Sequence, residues 1–240
     1  MENIITYETL SSFAHTNAPI VKTPVRGIVL VFNGLGFSSM FSEYDDESKR
    51  LADLGILRVI PYYNPWCWMN RQTVDYVDEL VDVLTGKFDL PDDIPVVATG
   101  GSMGGQCALV YCAYARRTPA ACVVNCPVCD LPYHFTERPD LPRTMYSAFG
   151  TYEGTLQEAL ESASPLHLAA AGKLPRIPYT VFHCEEDMAV NKQKHGDRFC
   201  AQMTENGYDI TYIPVPGRGH CELPEAERRQ YMDIAVDAIP

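Results

Sequence analysis

Residues 100–105, Gly100-Gly101-Ser102-Met103-Gly104-Gly105, place a single hydroxyl among four glycines. Glycine loses more conformational freedom on folding than any other residue, so this density calls for a reason. The stretch fits G-x-S-x-G, and its surroundings give the pattern meaning. The apolar run "IPVVAT" (94–99) leads straight into it, and the helix-like "MGGQCALVYCAYARR" (103–117) leads straight out. In such a strand-to-helix turn the serine side chain is pushed clear of the sheet, and its near neighbours must lack side chains. The N–H groups that follow sit at a helix N-terminus, where partial positive charge suits an oxyanion. The chemistry this predicts is nucleophilic attack by Ser102 on an acyl carbon. A glycine-rich turn with an ordinary capping serine is the plainer alternative.

A serine hydroxyl is a weak nucleophile at neutral pH without a base to take its proton. Of six histidines, His220 stands in "VPGRGHCELP", on a glycine-rich loop after the last strand-like run and before the last helix. A base there reaches over the strand ends. The imidazole in turn needs a carboxylate to fix its tautomer. "PYTVFHCEEDMAV" offers Glu185, Glu186 and Asp187 just past a strand end. Asp187 is the choice because it sits at the turn into the next helix, and Asp130 is the competing site. The order Ser102, Asp187, His220 is that of α/β-hydrolases and differs from the trypsin-like and subtilisin-like orders.

These residues need a frame to hold them. Short apolar runs at 27–32, 57–63, 94–99, 121–126, 178–184 and 209–215 read as strands, rich in Val and Ile and bounded by Gly, Pro or Asn. One or two antiparallel edge strands are expected within about residues 3–15. Helices are expected over 39–54, with Met40, Tyr44, Leu51 and Leu54 apolar, and over 71–85, with Val74, Val77, Leu80, Val81 and Leu84 on one face. Further helices are expected over 103–117, 190–206 and 224–238. The alternation predicts an α/β fold, a mostly parallel, doubly wound sheet with helices on both faces, in one domain over 1–240. Residues 130–177 break the rhythm as a long insertion before the acid-bearing strand. One helix is expected near 154–163, and the segment as a whole reads as a lid or pocket wall.

Composition narrows the partners. A formal net charge of −12 disfavours nucleic-acid backbones and anionic membrane surfaces. No run is apolar and long enough to span a bilayer, and "MENIITYETL" lacks the basic and apolar segments of a leader. Nine scattered cysteines fit reduced thiols, so a cytoplasmic location is expected. Cys122, Cys126, Cys129 and His134 have a zinc-like spacing, but no second C-x-x-C accompanies them, and no metal is expected. Cys107 and Cys112 read as core packing. Tyr62, Tyr63, Trp66 and Trp68 cluster just past a strand end, and Tyr63, Trp66 and Trp68 are candidate substrate-pocket residues. Arg71 and Arg143 could meet an acidic substrate group, though nothing in the sequence demands it.

Taken together, "VFNGLGFSS", "TGGSMGG", "NCPVCD", "SPLHLA", "VFHCEEDMAVN" and "GRGH" resemble the α/β-hydrolase superfamily, and within it the prolyl-oligopeptidase and acyl-esterase branch. The likeness runs from residue 29 to residue 220. It departs at Asn33-Gly34, where the family commonly has His-Gly. The donor at that place is a backbone N–H, so the oxyanion role survives the change. The resemblance implies oxyanion-hole amides at Leu35 and Met103, no cofactor, and a small-molecule ester as substrate. Its rivals are a serine peptidase or amidase of the same branch and a non-catalytic binding protein on the same fold. Only residues 1–26 precede the strand at 27–32, too few for the separate N-terminal domain of the family's larger peptidases, which favours the esterase. Whether the chain forms a homo-oligomer stays open.

Overall fold

The computed structural model describes residues 5–37 and 43–240. Among them seven strands form one sheet in the order β1-β3-β2-β4-β5-β6-β7. The strands are β1 (Ala14–Thr16), β2 (Gly27–Phe32), β3 (Ile56–Pro61), β4 (Val96–Gly101), β5 (Ala121–Asn125), β6 (Tyr179–Cys184) and β7 (Ile210–Val215). All neighbours pair in parallel except β1, which runs antiparallel to β3, with Ala14 opposite Pro61. The N-terminal segment thus contributes one edge strand, and two short 3-10 turns flank it at Leu10–Ser12 and Ala18–Ile20.

Parallel strands covered on both faces read as continuous apolar runs because each alternate residue meets its own layer. In β2, Ile28, Leu30 and Phe32 enter the larger core, together with Val74, Val77 and Val81 of α2 (Arg71–Lys87) and Leu109 of α3 (Met103–Tyr114). Val29 points the other way and joins Leu51 of α1 (Asp46–Asp53) and Ala235 of α9 (Glu225–Asp237). Two core layers therefore clamp the sheet, and the sequence order reverses direction at β2, between β3 and β4. That switch point opens a crevice at the strands' C-terminal ends.

Helix α1 is shorter than the expected 39–54. Asp45 caps it by accepting from Ser48 N–H at 2.7 Å, so the helix starts at Asp46; Met40 lies outside the described residues. The expected helix over 190–206 is a π-helical turn at Gln193–Asp197 followed by α8 (Arg198–Glu205).

The largest departure is the insertion between β5 and β6, which holds four helices where one was expected. They are α4 (Leu131–Glu137), α5 (Leu141–Phe149), α6 (Leu156–Ser162) and α7 (Pro165–Ala170). All are short, and three carry proline in the first turn, where its missing N–H costs nothing. The insertion is bolted to the core by buried hydrogen bonds. Gln106 Nε2 donates to the carbonyls of Trp68 and Ala163, and the Trp68 indole N–H donates to Thr144 Oγ1 at 2.9 Å.

A second bolt joins α4 to the loop after β6. His195 Nδ1 accepts from the N–H groups of Cys129 and Asp130, so its proton sits on Nε2 and is donated to Glu137 Oε2 at 3.0 Å. His134 Nδ1–H donates to the same oxygen at 2.6 Å. Burial raises the Glu137 carboxyl, but the two imidazole hydrogen bonds outweigh that and pull it far below the usual carboxylate range. Replacing Glu137 with Ala strands two buried imidazole N–H groups. Glu137→Ala is expected to lower stability by about 1–3 kcal/mol, read from the urea midpoint.

Candidate active site

Ser102 stands between the end of β4 and the start of α3 with φ 59° and ψ −128°. This left-handed backbone is uncommon for a residue with a side chain and costs about 1–3 kcal/mol unless its surroundings enforce it. The surroundings do so. A Cβ on Gly104 would strike the carbonyl of Phe32 at the end of β2, and one on Gly100 would strike the carbonyl of Gly104. Ser102 N–H is fixed by the carbonyl of Asn125 at 3.0 Å, while its side chain makes no capping bond to α3. A capping serine would spend its oxygen on the helix; this one leaves it free, half-buried at the crevice.

The loop after β2 lies against the serine. A Cβ on Gly34 would sit 3.8 Å from the Cβ of Ser102. Tyr63 secures this loop from β3's side by donating its hydroxyl to the carbonyl of Asn33 at 2.9 Å, with its ring stacked on Phe32. The N–H of Leu35 makes no hydrogen bond among the described residues, and Met103 N–H is the first in α3, where helical amides have no internal acceptor. Two amides near the serine turn are therefore uncommitted, Met103 next to Ser102 in the chain and Leu35 next to Gly34. Ser38 and Ser39, which continue the loop's motif, lie outside the described residues.

Asp187 and His220 are joined. His220 Nδ1 lies 2.7 Å from Asp187 Oδ2. The other carboxylate oxygen accepts from the N–H groups of Ala189 and Val190, both at 2.9 Å, which locks the acid in place. Glu185 and Glu186 point to solvent. Asp130, the competing acid, is committed elsewhere: it caps α4 through Tyr133 N–H and receives Arg198 at 2.7 Å. No hydrogen bond joins Ser102 to His220 among the described residues. The imidazole's Nε2 instead has Cys221 Sγ at 3.8 Å, and that sulfur lies 3.6 Å from the carbonyl of Asn125, the one that holds Ser102 N–H. Catalytic hydrogen bonds are often long before substrate arrives.

Two further residues shape this pair: His183, which nothing in the sequence marks, and Cys126, which the spacing places among the zinc-like cysteines. His183, in β6, is fully buried behind Asp187 and donates its Nε2–H to the carbonyl of Val190 at 3.2 Å. Burial pushes its pKa down to about 4, so a neutral ring stands beside the acid. Cys126 sits against the site from the end of β5 with φ 45°. His183 lies within the buried run of β6, whereas only the fold brings Cys126 to His220.

The aromatic cluster divides. Tyr63 and Trp66 line a groove of about 330 Å³ with Asn64, Asn70 and Ser147, and Arg143 stacks 5.2 Å over the Trp66 ring. Trp68 does not reach solvent: it is fully buried, packed on His134, because its N–H is needed by Thr144 inside the insertion. Arg71 pairs with exposed Asp75 at 3.3 Å. A larger cavity of about 460 Å³ lies away from Ser102, between the start of α2 and residues 148–153 of the insertion. The four zinc-spaced residues do not gather: His134 goes with Glu137 and His195, and Cys126 with His220 and Cys221.

Residues 68–236 match the prolyl oligopeptidase family, which covers most of the chain and both halves of the site. The chain belongs to the prolyl oligopeptidase family. Its α/β-hydrolase fold is shared with solved structures at low identity. An esterase, Est2, from Thermogutta terrifontis superposes with a TM-score of 0.66 at 18% identity, over 93% of this chain and 85% of that one. An S-formylglutathione hydrolase from Agrobacterium tumefaciens gives 0.70 at 17%, over 91% and 86%. A puromycin-hydrolyzing peptidase from Mycobacterium tuberculosis gives 0.66 at 18%, over 83% of this chain and 31% of that one. No curated protein matches the sequence. No helix among the described residues is long and apolar enough to cross a membrane.

Burial disfavours the charged form of His220, but the hydrogen bond it donates to Asp187, helped by Cys126, outweighs that and raises the pKa to about 9. The folded state therefore binds this proton more tightly than the unfolded chain. The stability it contributes is complete below about 6.5 and lost as pH rises through about 9. Replacing Asp187 with Asn removes the main cause. The His220 ring resonances, followed by NMR against pH, are expected to titrate near 9 in the parent and toward 6.5 in Asp187→Asn.

Proposed function

We propose that this prolyl oligopeptidase family member is a serine hydrolase that cleaves a carboxylic ester of a small molecule through an acyl-enzyme. The observation that carries the reading is the 2.7 Å bond between Asp187 and His220 on the loops beside a serine held at φ 59°. In the first half-reaction Ser102 Oγ bonds to the acyl carbon while its proton passes to His220 Nε2. The carbonyl π electrons move onto oxygen, and the amides of Met103 and Leu35 receive that oxyanion. As the carbonyl re-forms, the C–O bond to the alcohol breaks, and His220 returns the proton to the leaving alkoxide. Water then repeats the cycle on the acyl-serine, releasing the acid and restoring Ser102. Asp187 orients the imidazole throughout.

The ester reading is supported by the esterase and S-formylglutathione hydrolase folds that this chain resembles over most of their length. A peptidase reading draws on the family itself and on the puromycin-hydrolyzing neighbour. The triad serves both, because the two differ in leaving group and in pocket. A cytoplasmic setting is supported by nine free thiols.

A fluorophosphonate probe is expected to label one residue, Ser102, and Ser102→Ala is expected to lower kcat for p-nitrophenyl acetate by about 10⁴-fold or more. Turnover of an aminoacyl-anilide faster than the ester would replace the esterase by the peptidase. An intact mass unchanged by the probe, with no loss of activity in Ser102→Ala, would end the serine mechanism altogether. The base must be neutral to act, so kcat/KM is expected to climb with pH toward a plateau set near 9, above the ordinary histidine range.

A further inference from the structure

Among the described residues six non-glycine positions have left-handed backbone, and two of them, Cys126 at φ 45° and Cys221 at φ 59°, stand beside His220, with a third, Ser102 at φ 59°, on the neighbouring turn. Strain of this kind persists only where the surrounding structure enforces it, and it collects at functional sites. The turn explains Ser102, while nothing in ester hydrolysis uses the two thiols. On those backbones both sulfurs lie beside His220, with Cys126 Sγ donating to Asn125 Oδ1 at 3.3 Å and Cys221 Sγ to the Asn125 carbonyl at 3.6 Å. The ligating atoms of Cys126, His220 and Cys221 lie within 4.8 Å of one another. Since Nδ1 is taken by Asp187, the nitrogen facing the sulfurs is Nε2, 3.8 Å from Cys221 Sγ.

We propose that Cys126, Cys221 and His220 Nε2 form a binding site for a thiophilic divalent cation such as zinc, and that the ion, once bound, withholds the base from Ser102. The spacing suits it. With Zn–S near 2.3 Å and Zn–N near 2.0–2.1 Å, two ligands at a tetrahedral angle stand about 3.5–3.8 Å apart. The Cys221 pair meets that span already. The surroundings suit it too: Asp187 holds Nδ1–H in the carboxylate–histidine arrangement that orients zinc-bound imidazoles, and Cys184 N–H donates to Cys126 Sγ at 3.3 Å. Access runs past His220 and Cys221, both part-exposed, while Cys126 forms the buried wall. On binding, each thiol releases its proton to water as its sulfur bonds to the ion, and His220 enters neutral, so affinity rises with pH. Two thiolates and one imidazole leave the fourth position to solvent.

The site itself stands without the hydrolase reading; only the withholding of the base rests on that reading, and two readouts keep them apart. The reduced, chelator-treated full chain is titrated with cobalt(II) and followed by thiolate-to-cobalt charge-transfer absorption, then back-titrated with zinc. One equivalent is expected to saturate the signal. Cys221→Ser, Cys126→Ser and His220→Gln are each expected to weaken binding by about 100-fold or more, beyond the usual loss for an outer-shell change. Cys221 and His220 are part-exposed, so at least these two variants test the site without disturbing the core, and far-UV circular dichroism checks the fold of each. Absence of the absorption, or equal titration in the three variants, overturns the site. In the second readout, zinc is expected to slow fluorophosphonate labelling of Ser102 at least tenfold in the parent and to leave Cys221→Ser unaffected, with EDTA restoring the parent. Labelling that proceeds at saturating zinc overturns the control of the base. A serine that never labels in metal-free protein defeats the hydrolase reading, and the cobalt spectrum still decides the metal site.

Discussion

At Gly104 helix α3 comes so near the end of β2 that the carbonyl of Phe32 fills the space of a side chain. Gly100 meets the carbonyl of Gly104 in the same way. These two approaches set the distance between the helix and the two central strands, and so force the chain to turn within one residue. Ser102 is that residue. Its φ of 59° follows from the packing on either side, and the orientation of its hydroxyl follows from the φ. The same tightness brings the loop after β2 against the serine, so that Gly34 and the uncommitted amide of Leu35 share its crevice. The strained turn at Ser102, the loop that lies beside it and the switch point are thus consequences of one close contact between a helix and a sheet.

Asp187 and His220 depend on a second system, which is polar and buried. Asp187 is gripped by two backbone amides and backed by a neutral His183, and the loop that carries it is tied to the insertion through Asn191, Glu137 and His195. A buried polar network adds rigidity when every member is paired. Here only His183 Nδ1 lacks a partner among these groups, and it lies against Gly196, where any side chain would collide with the ring. The insertion, far from a loose flap, is part of the framework that fixes the acid.

Much of the frame was legible because its causes are local. Parallel strands buried on both faces announce themselves as Val- and Ile-rich runs, and each of the six expected strands overlaps an observed one, with ends shifted by only a few residues. Glycine density marked the serine turn for the same reason. The insertion is hard to read from sequence because its helices are short, three of them begin at proline, and they depend on packing against one another and on α3 and α8. Sequence places Trp68 past a strand end, where a pocket wall is expected; the fold instead buries it, with its indole N–H donated to Thr144. Cys126 and Cys221 were invisible as a pair because they belong to different strand ends, and only the parallel order β5-β6-β7 brings those ends side by side.

His220 has neighbours of an unusual kind. A carboxylate on Nδ1 raises the electron density at Nε2 whatever that nitrogen then meets, a proton or a metal ion. Many hydrolase chemistries need only the proton, and for them an apolar or hydroxyl-bearing wall opposite Nε2 would serve. This chain instead sets one sulfur at 3.8 Å and a second within 4.8 Å, both on backbones that a residue with a side chain seldom adopts. The strain at Cys221 could be relieved by glycine, which adopts positive φ at no steric cost, and two glycines already stand nearby at 217 and 219. That a cysteine occupies the position makes sense if its sulfur, rather than the turn, is what the loop is built to present.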